Sequence, residues 1–370
     1  MEPTRQSSRL EPSSGASGGD QNEETPPQTR RDADWVLLGP HGLRAGWSAL
    51  FFVALYYLLT PVLDTIAVTL DPTLAEPVFS PSRVLITELI PFASLLISGM
   101  FMARIEHRQP LEYNLLDRRR IRHFLGGLGA GFAALSLLIA VLGMGGWLHF
   151  GHLSLTSGDA VKFGGLWACA FLLVGCFEEG AFRCYLQFTL ARGINFWWAL
   201  AAIGALCLLL QFTGDPRGSG GVYAVALLGL IPCWLLHRAR RASASFWQAA
   251  WTTSTAFGYY HTNNSGENWI GIFAAAMIGF VFCVSVRVTG SAWWAIGCHS
   301  AWDWAETYFY GTADSGFPAQ RHLLSSTVTG DLLWSGGTDG PEGSLLVFPV
   351  ILLLLVFLVV AYRRRYPVVE

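Results

Sequence analysis

Polar and apolar positions along this chain fall into long blocks. After a polar opening, runs of about 20 mostly apolar residues recur, the length a helix needs to cross a bilayer. Ten such runs can be drawn, at roughly 46–66, 84–103, 123–147, 163–190, 194–212, 221–236, 246–261, 269–287, 291–310 and 344–362. The pattern predicts an all-α fold, a polytopic transmembrane bundle of eight to ten helices. The 246–261 run is short and carries Ser, Thr and Gln. The 194–212 and 221–236 pair can form a hairpin that stops short of a full crossing. Residues 1–45 are expected to be a disordered cytoplasmic tail, since their Ser, Gly, Pro and Gln offer little to pack. No basic stretch leads straight into an apolar core there, so a signal peptide is not expected. The membrane domain is expected over 46–362, and a basic cytoplasmic tail over 363–370.

Positive charge then orients the bundle. Arg104, Arg108, Arg118, Arg119, Arg120 and Arg122 crowd one connection, and His237, Arg238, Arg240 and Arg241 crowd another. Arg363, Arg364 and Arg365 follow the last run. With ten crossings all three clusters share one side, which the positive-inside rule makes the cytoplasm. Both termini are then cytoplasmic, in what is expected to be a bacterial inner membrane. Trp47, Trp147, Trp197, Trp198, Trp269, Trp293 and Trp294 sit near boundaries, as interfacial belts or as contact fillers. No internal repeat of the kind common in transporters stands out.

Composition agrees. The chain is 52% hydrophobic and 14% charged, against roughly a quarter charged in soluble domains. A net charge of −2 gives no reason to expect a nucleic-acid partner; the lipid bilayer is the expected one. Cys169, Cys176, Cys184, Cys207, Cys233, Cys283 and Cys298 lie in apolar runs without a CxxC. They read as small buried hydrophobes rather than a redox pair or thiolate zinc site.

The informative residues are the polar ones inside the apolar runs. Glu178, Glu179 and Arg183 fall near the middle of the run from Phe163 to Arg192. Unpaired, three charges at that depth would cost about 8–10 kcal/mol, so this face must turn inward. Glu179 and Arg183 are i and i+4, acid first, the favourable order for a helix ion pair. They read as structural support. Glu178 points about 100° away and is presented to a cavity, where a desolvated carboxylate suits a general base. Phe257 and His261 share a face, as do His299 and Asp303. His299 with Asp303 can orient an imidazole, polarise a carbonyl or supply two metal ligands. HExxH and GxSxG are absent. Glu306 can extend the Asp303 face, and Glu88 and Asp64 either line the cavity or bond locally. Asn263, Asn264 and Asn268 read as turn or cap residues, and Gly340–Gly343 as a turn and helix start. His149, His152 and His322 read as solvated loop histidines.

Glu178-Glu179-Gly-Ala-Phe-Arg183, Phe257-Gly-Tyr-Tyr-His261 and His299-Ser-Ala-Trp-Asp303 resemble, in order, the EExxxR, FxxxH and HxxxN/D motifs of the CPBP family. These are type II CAAX prenyl endopeptidases and bacteriocin-processing, Abi-like intramembrane proteases. Gly340-Pro341-Glu342-Gly343 looks like a turn common among bacterial members. The resemblance covers about 80–362. It implies an endopeptidase acting on a membrane-associated protein or peptide, lipidated or not. Glu178 would activate water with His261 beside it, while His299 and Asp303 stabilise the oxyanion or hold the geometry. Glu178, His261, His299 and Asp303 are also the candidate ligands if a divalent metal such as zinc takes part; the resemblance is equally compatible with none. Two departures stand out. Residues 194–245 look like an inserted hydrophobic hairpin, and Asp303 stands where asparagine is common, favouring a protonated His299 or a bound cation. His261 also falls near the outer end of its run while Glu178 is mid-membrane.

Two other classes compete. Buried acids and histidines also suit a proton-coupled transporter or channel, and a catalytically silent membrane scaffold or immunity factor would keep the bundle without the chemistry.

Overall fold

The computed structural model describes residues 37–362 apart from 40–41, 77, 214–216, 242 and 265. Of the expected disordered tail 1–45, residues 1–36 lie outside the described residues, as does the basic tail 363–370, while two short strands and the first residue of a helix fall within 37–45, where the tail is expected to be disordered. Ten helical columns follow the ten apolar runs. They are α1 (Ala45–Leu70), then α2 (Pro81–Thr87) with α3 (Leu89–Ile105), then α4 (Arg120–Met144). Next come α5 (Ser157–Glu179), continued by a π segment (Gly180–Leu186) and α6 (Gln187–Ala191), α7 (Phe196–Thr213) and α8 (Ser219–Ala239). The rest are α9 (Ala244–Tyr260), α10 (Trp269–Thr289), α11 (Trp293–Asp303) with a second π segment (Trp304–Tyr310), the short α12 (Leu332–Ser335) and α13 (Val347–Tyr362).

Seven of the columns are long and apolar enough to cross a membrane, and α13 is a shorter apolar helix. The protein is a multi-pass integral membrane bundle. The remaining two, α9 and the α11 column, are central. Every side chain in them is buried or half-buried. A helix that meets protein rather than lipid can carry Ser, Thr, His and Asp without the transfer cost, which explains the short, polar 246–261 run; the doubted pair at 194–212 and 221–236 instead forms α7 and α8, both long and apolar enough to cross.

The connections alternate between two ends. At one end Arg192 pairs with Glu106 at 3.4 Å, the Ala292 amide donates to Asn114, and Phe196 stacks on His237. The exposed arginines near 118–122 and 238–241 belong to this basic end. At the other end the Asn268 amide donates to Asp339, the Trp269 indole to the Arg217 carbonyl, and Phe79 stacks on Phe317. The same loop-rich end holds two strands that the all-helical reading missed. β3 (Leu148–Leu153) pairs antiparallel with β4 (Leu324–Val328), and a smaller pair, β1 (Leu38–Gly39) with β2 (Gly42–Leu43), precedes α1. The β3–β4 pair ties the 145–156 connection to the long 311–346 loop.

Close helix contact holds the centre together. α11 packs on α4 more extensively than any other pair of helices does. A Cβ on Gly127 would overlap the Trp294 carbonyl, and one on Gly131 the Cys298 carbonyl. Small residues four apart let two backbones meet this way in membranes. Among the described residues no disulfide forms, and four of the cysteines are buried as expected. Cys169 instead faces outward. Trp197 and Trp198 are exposed, as a belt requires, whereas Trp294 is wholly buried as a contact filler.

Candidate active site

Helix α5 does not continue as one α-helix to Arg192. It widens to a π segment from Gly180 to Leu186, directly after the paired glutamates. The α11 column does the same directly after Asp303. Such π-bulges recur at functional sites because they re-aim side chains at the cost of ladder geometry. The Arg183 carbonyl accepts from the Asn114 side chain at 2.7 Å.

The Glu179–Arg183 pair forms as the spacing predicts, at 3.2 Å and with both side chains fully buried. Phe257 covers the guanidinium, 4.2 Å from its carbon to the ring centre, with Phe282 and Phe182 beyond. The phenylalanine of the second motif is therefore part of the arginine's cage. Glu179 does more than pair, however. The same oxygen, Oε1, lies 2.9 Å from His299 Nδ1. A carboxylate that also neutralises an arginine is ionised, so Nδ1 carries the hydrogen. His299 Nε2 is then turned to Glu178 Oε2 and Asp303 Oδ2, both at 3.6 Å. One imidazole thus bridges the two glutamates that helix geometry sends in different directions.

His261 opens a 3-10 turn at the end of α9. Its Nδ1 lies 3.0 Å from the Phe257 carbonyl. A carbonyl can only accept, so Nδ1 is the donor and Nε2 is left for the site.

Glu178, His261, His299 and Asp303 all line one cavity of about 160 Å³. The mismatch in depth between His261 and Glu178 is resolved by its shape. It runs from the loop-rich end, where Asn264, Asp314 and Phe317 line it, inward to Glu178 and Phe282. Glu88, at the break between α2 and α3, also lines it, while Asp64 stays on the exposed face of α1. Asn268 caps α10, accepting from the Ile270 and Gly271 amides, and Asn264 bonds Glu267.

The four motif residues keep oxygen or nitrogen atoms toward the cavity, a donor set that zinc accepts. Among the described residues, however, the group of three or more ligand atoms within 4.8 Å of one another is Glu306, Asp314 and Glu342. The sequence pattern does not single out Asp314 and Glu342 as site residues. Glu342 lies in the Gly340–Gly343 turn, a 3-10 turn from Pro341 to Gly343, and lines the cavity; Asp314 carries no sequence signal. Burial pushes the carboxyls of this loop up, Asp314 to about 7 and Asp339 to about 8, and the nearby Glu342 adds to both.

Residues 161–247 and 234–305 match the family model described as type II CAAX prenyl endopeptidase, Rce1-like. The match spans all three motifs and agrees with the CPBP resemblance. No curated protein and no solved structure matches the chain.

Proposed function

We propose that this chain with its Rce1-like region is an intramembrane endopeptidase that hydrolyses a peptide bond of a membrane-associated protein or peptide. The observation that carries the reading is the convergence of Glu178, His261, His299 and Asp303 on one cavity between buried helices. In this mechanism Glu178 takes a proton from a water held between it and His261 Nε2. The water attacks the scissile carbonyl. His299, held by Glu179 through Nδ1, presents Nε2–H to the developing oxyanion, and the charge of Asp303 keeps that proton in place. Glu178 then returns its proton to the leaving amine. A divalent metal, if bound by the same four side chains, would polarise the carbonyl or the water.

The cavity is lined from the loop-rich end, opposite the basic connections. The positive-inside rule makes the basic end cytoplasmic, with both termini there in a bacterial inner membrane. Substrate then enters from the outer face. The substitution Glu178→Gln tests the chemistry in the full-length protein reconstituted in liposomes. Membrane-fraction proteomics compares uncleaved precursors in cells carrying the unaltered gene and in cells carrying the Glu178→Gln variant. The expected result is accumulation of one or a few precursors with the variant, and a fall in cleavage of about 10²–10⁴-fold for those precursors in liposomes. Cleavage retained in full sinks the assignment. Proton flux that vanishes with the same substitution would instead favour a transporter.

A further inference from the structure

A second polar cluster lies beside the motif residues, where the π segment after α11 runs into the 311–346 loop. Glu306, Asp314 and Glu342 each bring one carboxylate oxygen within 4.8 Å of the other two. Oxygens sharing one ion, with bonds of about 2.3–2.6 Å, stand no more than about 5 Å apart. Each carboxylate is steadied on one oxygen by a neutral donor. Trp302 Nε1 donates to Glu306 Oε2 at 3.1 Å, Thr307 Oγ1 to Asp314 Oδ2 at 2.7 Å, and Ser315 Oγ to Glu342 Oε2 at 3.1 Å. Among the described residues no arginine, lysine or histidine forms an ion pair with any of the three. Glu306 is fully buried, and its second oxygen, Oε1, has no hydrogen-bond partner among the described residues. That oxygen faces Gly340, in the loop segment that carries Glu342. Asp339 is also fully buried and likewise leaves Oδ1 without a partner. A buried carboxylate oxygen normally finds a donor or an ion.

We propose that Glu306, Asp314 and Glu342 bind a hard divalent cation of calcium's class, which fastens the 311–346 loop to the column carrying His299 and Asp303. An all-oxygen set without sulfur or imidazole selects such ions over zinc or copper. The neutral donors hold the ligands in place as outer partners do at metal sites. Asp314 and Glu342 also line the cavity, so the ion sets the wall past which substrate enters. The site stands whether or not the peptidase reading holds, because its ligands are not the residues that perform the chemistry there.

Terbium is the probe, added to the detergent-solubilised full chain after EDTA treatment and excited through Trp302 beside Glu306. The expected result is a saturable rise in terbium emission, reversed by calcium. Glu306→Gln and Asp314→Asn should each weaken binding at least tenfold, while Glu178→Gln leaves it unchanged. Loss of the signal with Glu178→Gln moves the ion to the motif cluster and overturns the proposal. So does a signal that survives Glu306→Gln together with Asp314→Asn. Wild-type protein alone gives an independent reading: millimolar calcium should raise its melting temperature above that in EDTA, and an unmoved melting temperature overturns the site without any variant.

Discussion

The motif cluster and the loop cluster solve the same electrostatic problem in different ways. Both bury several carboxylates. In the motif cluster, Glu178, Glu179 and Asp303 are answered by the Arg183 guanidinium and the His299 imidazole. In the loop cluster, Glu306, Asp314 and Glu342 take their side-chain hydrogen bonds from hydroxyls and an indole and form no ion pair among the described residues, with the His299 charge acting on Asp314 and Glu342 only from a distance. Buried charge is tolerated when it is paired, protonated or bound to an ion. The first cluster therefore carries its counter-charges in its own sequence. The second depends on what the solution supplies, protons or cations. Chemistry in the first is fixed by covalent spacing, and order in the second is adjustable.

The sharpest way to break this contrast is to remove the shared imidazole. His299→Leu leaves Glu178, Glu179 and Asp303 facing Arg183 alone. Cleavage should fall by about 10²-fold or more, and the protein should lose thermal stability because two carboxylates lose their partner. Glu179→Gln comes next. It strands Arg183 inside its phenylalanine cage, and breaking a buried pair by one partner costs about 3–5 kcal/mol. Detergent-solubilised yield and melting temperature should both drop. Substitution to Gln at Glu306, where no cation pairs, should lower the calcium-free melting temperature less. Equal losses at Glu179 and Glu306 would erase the distinction between the clusters.

A smaller effect tests how the motif cluster is held. Gly131→Leu pushes a side chain into the Cys298 carbonyl on the helix that carries His299. A backbone atom cannot swing aside, so the loss should be about 1–3 kcal/mol or more. The melting temperature measured in detergent checks it. Gly129→Leu is the control, because a Cβ there meets nothing. If both variants melt alike, close packing of α4 on α11 is not what positions His299.

The two clusters also differ in how far they could be read from the chain. Glu179 with Arg183, and His299 with Asp303, are local pairs one helical turn apart, and the helix period makes such pairs visible in a string of letters. The ten columns were legible for the same reason, since lipid demands long apolar runs. The bridging of Glu178 and Glu179 by His299 was not, because it depends on a contact between residues 120 positions apart. The π segments were hidden too; nothing in Gly-Ala-Phe-Arg marks a widened turn. Gly127 and Gly131, four apart in an apolar run, are a signal the sequence does carry. Asp314 and Glu342 come together through loop geometry, and β3 and β4 through pairing between segments far apart in the chain, which no local period records.

The loop cluster's dependence on solution should show as a response to pH. Asp339 is fully buried, and burial lifts its carboxyl to about 8, against the pull of the Asn268 amide and with a further push from Glu342 and Asp314. Asp314, Glu342 and Glu267 are shifted the same way, and Arg217 opposes the shift on Asp339. A raised carboxyl means that the folded chain holds a proton which the unfolded chain has released by neutral pH. The associated stability is present in full below the ordinary carboxylate range, declines as pH rises, and is gone once pH passes about 8. In EDTA, the melting temperature should therefore fall between pH 5 and pH 8 and flatten above it. Asp339→Asn keeps an oxygen for the Asn268 amide but cannot ionise, so it should make that slope shallower by about 1–3 °C across the range. Calcium should flatten it as well, because an ion held by Glu306, Asp314 and Glu342 replaces protons on their carboxylates and offsets the charge beside Asp339. A melting temperature that rises with pH in EDTA would mean that counter-charge already sits inside the loop cluster, and the contrast with the motif cluster would fail.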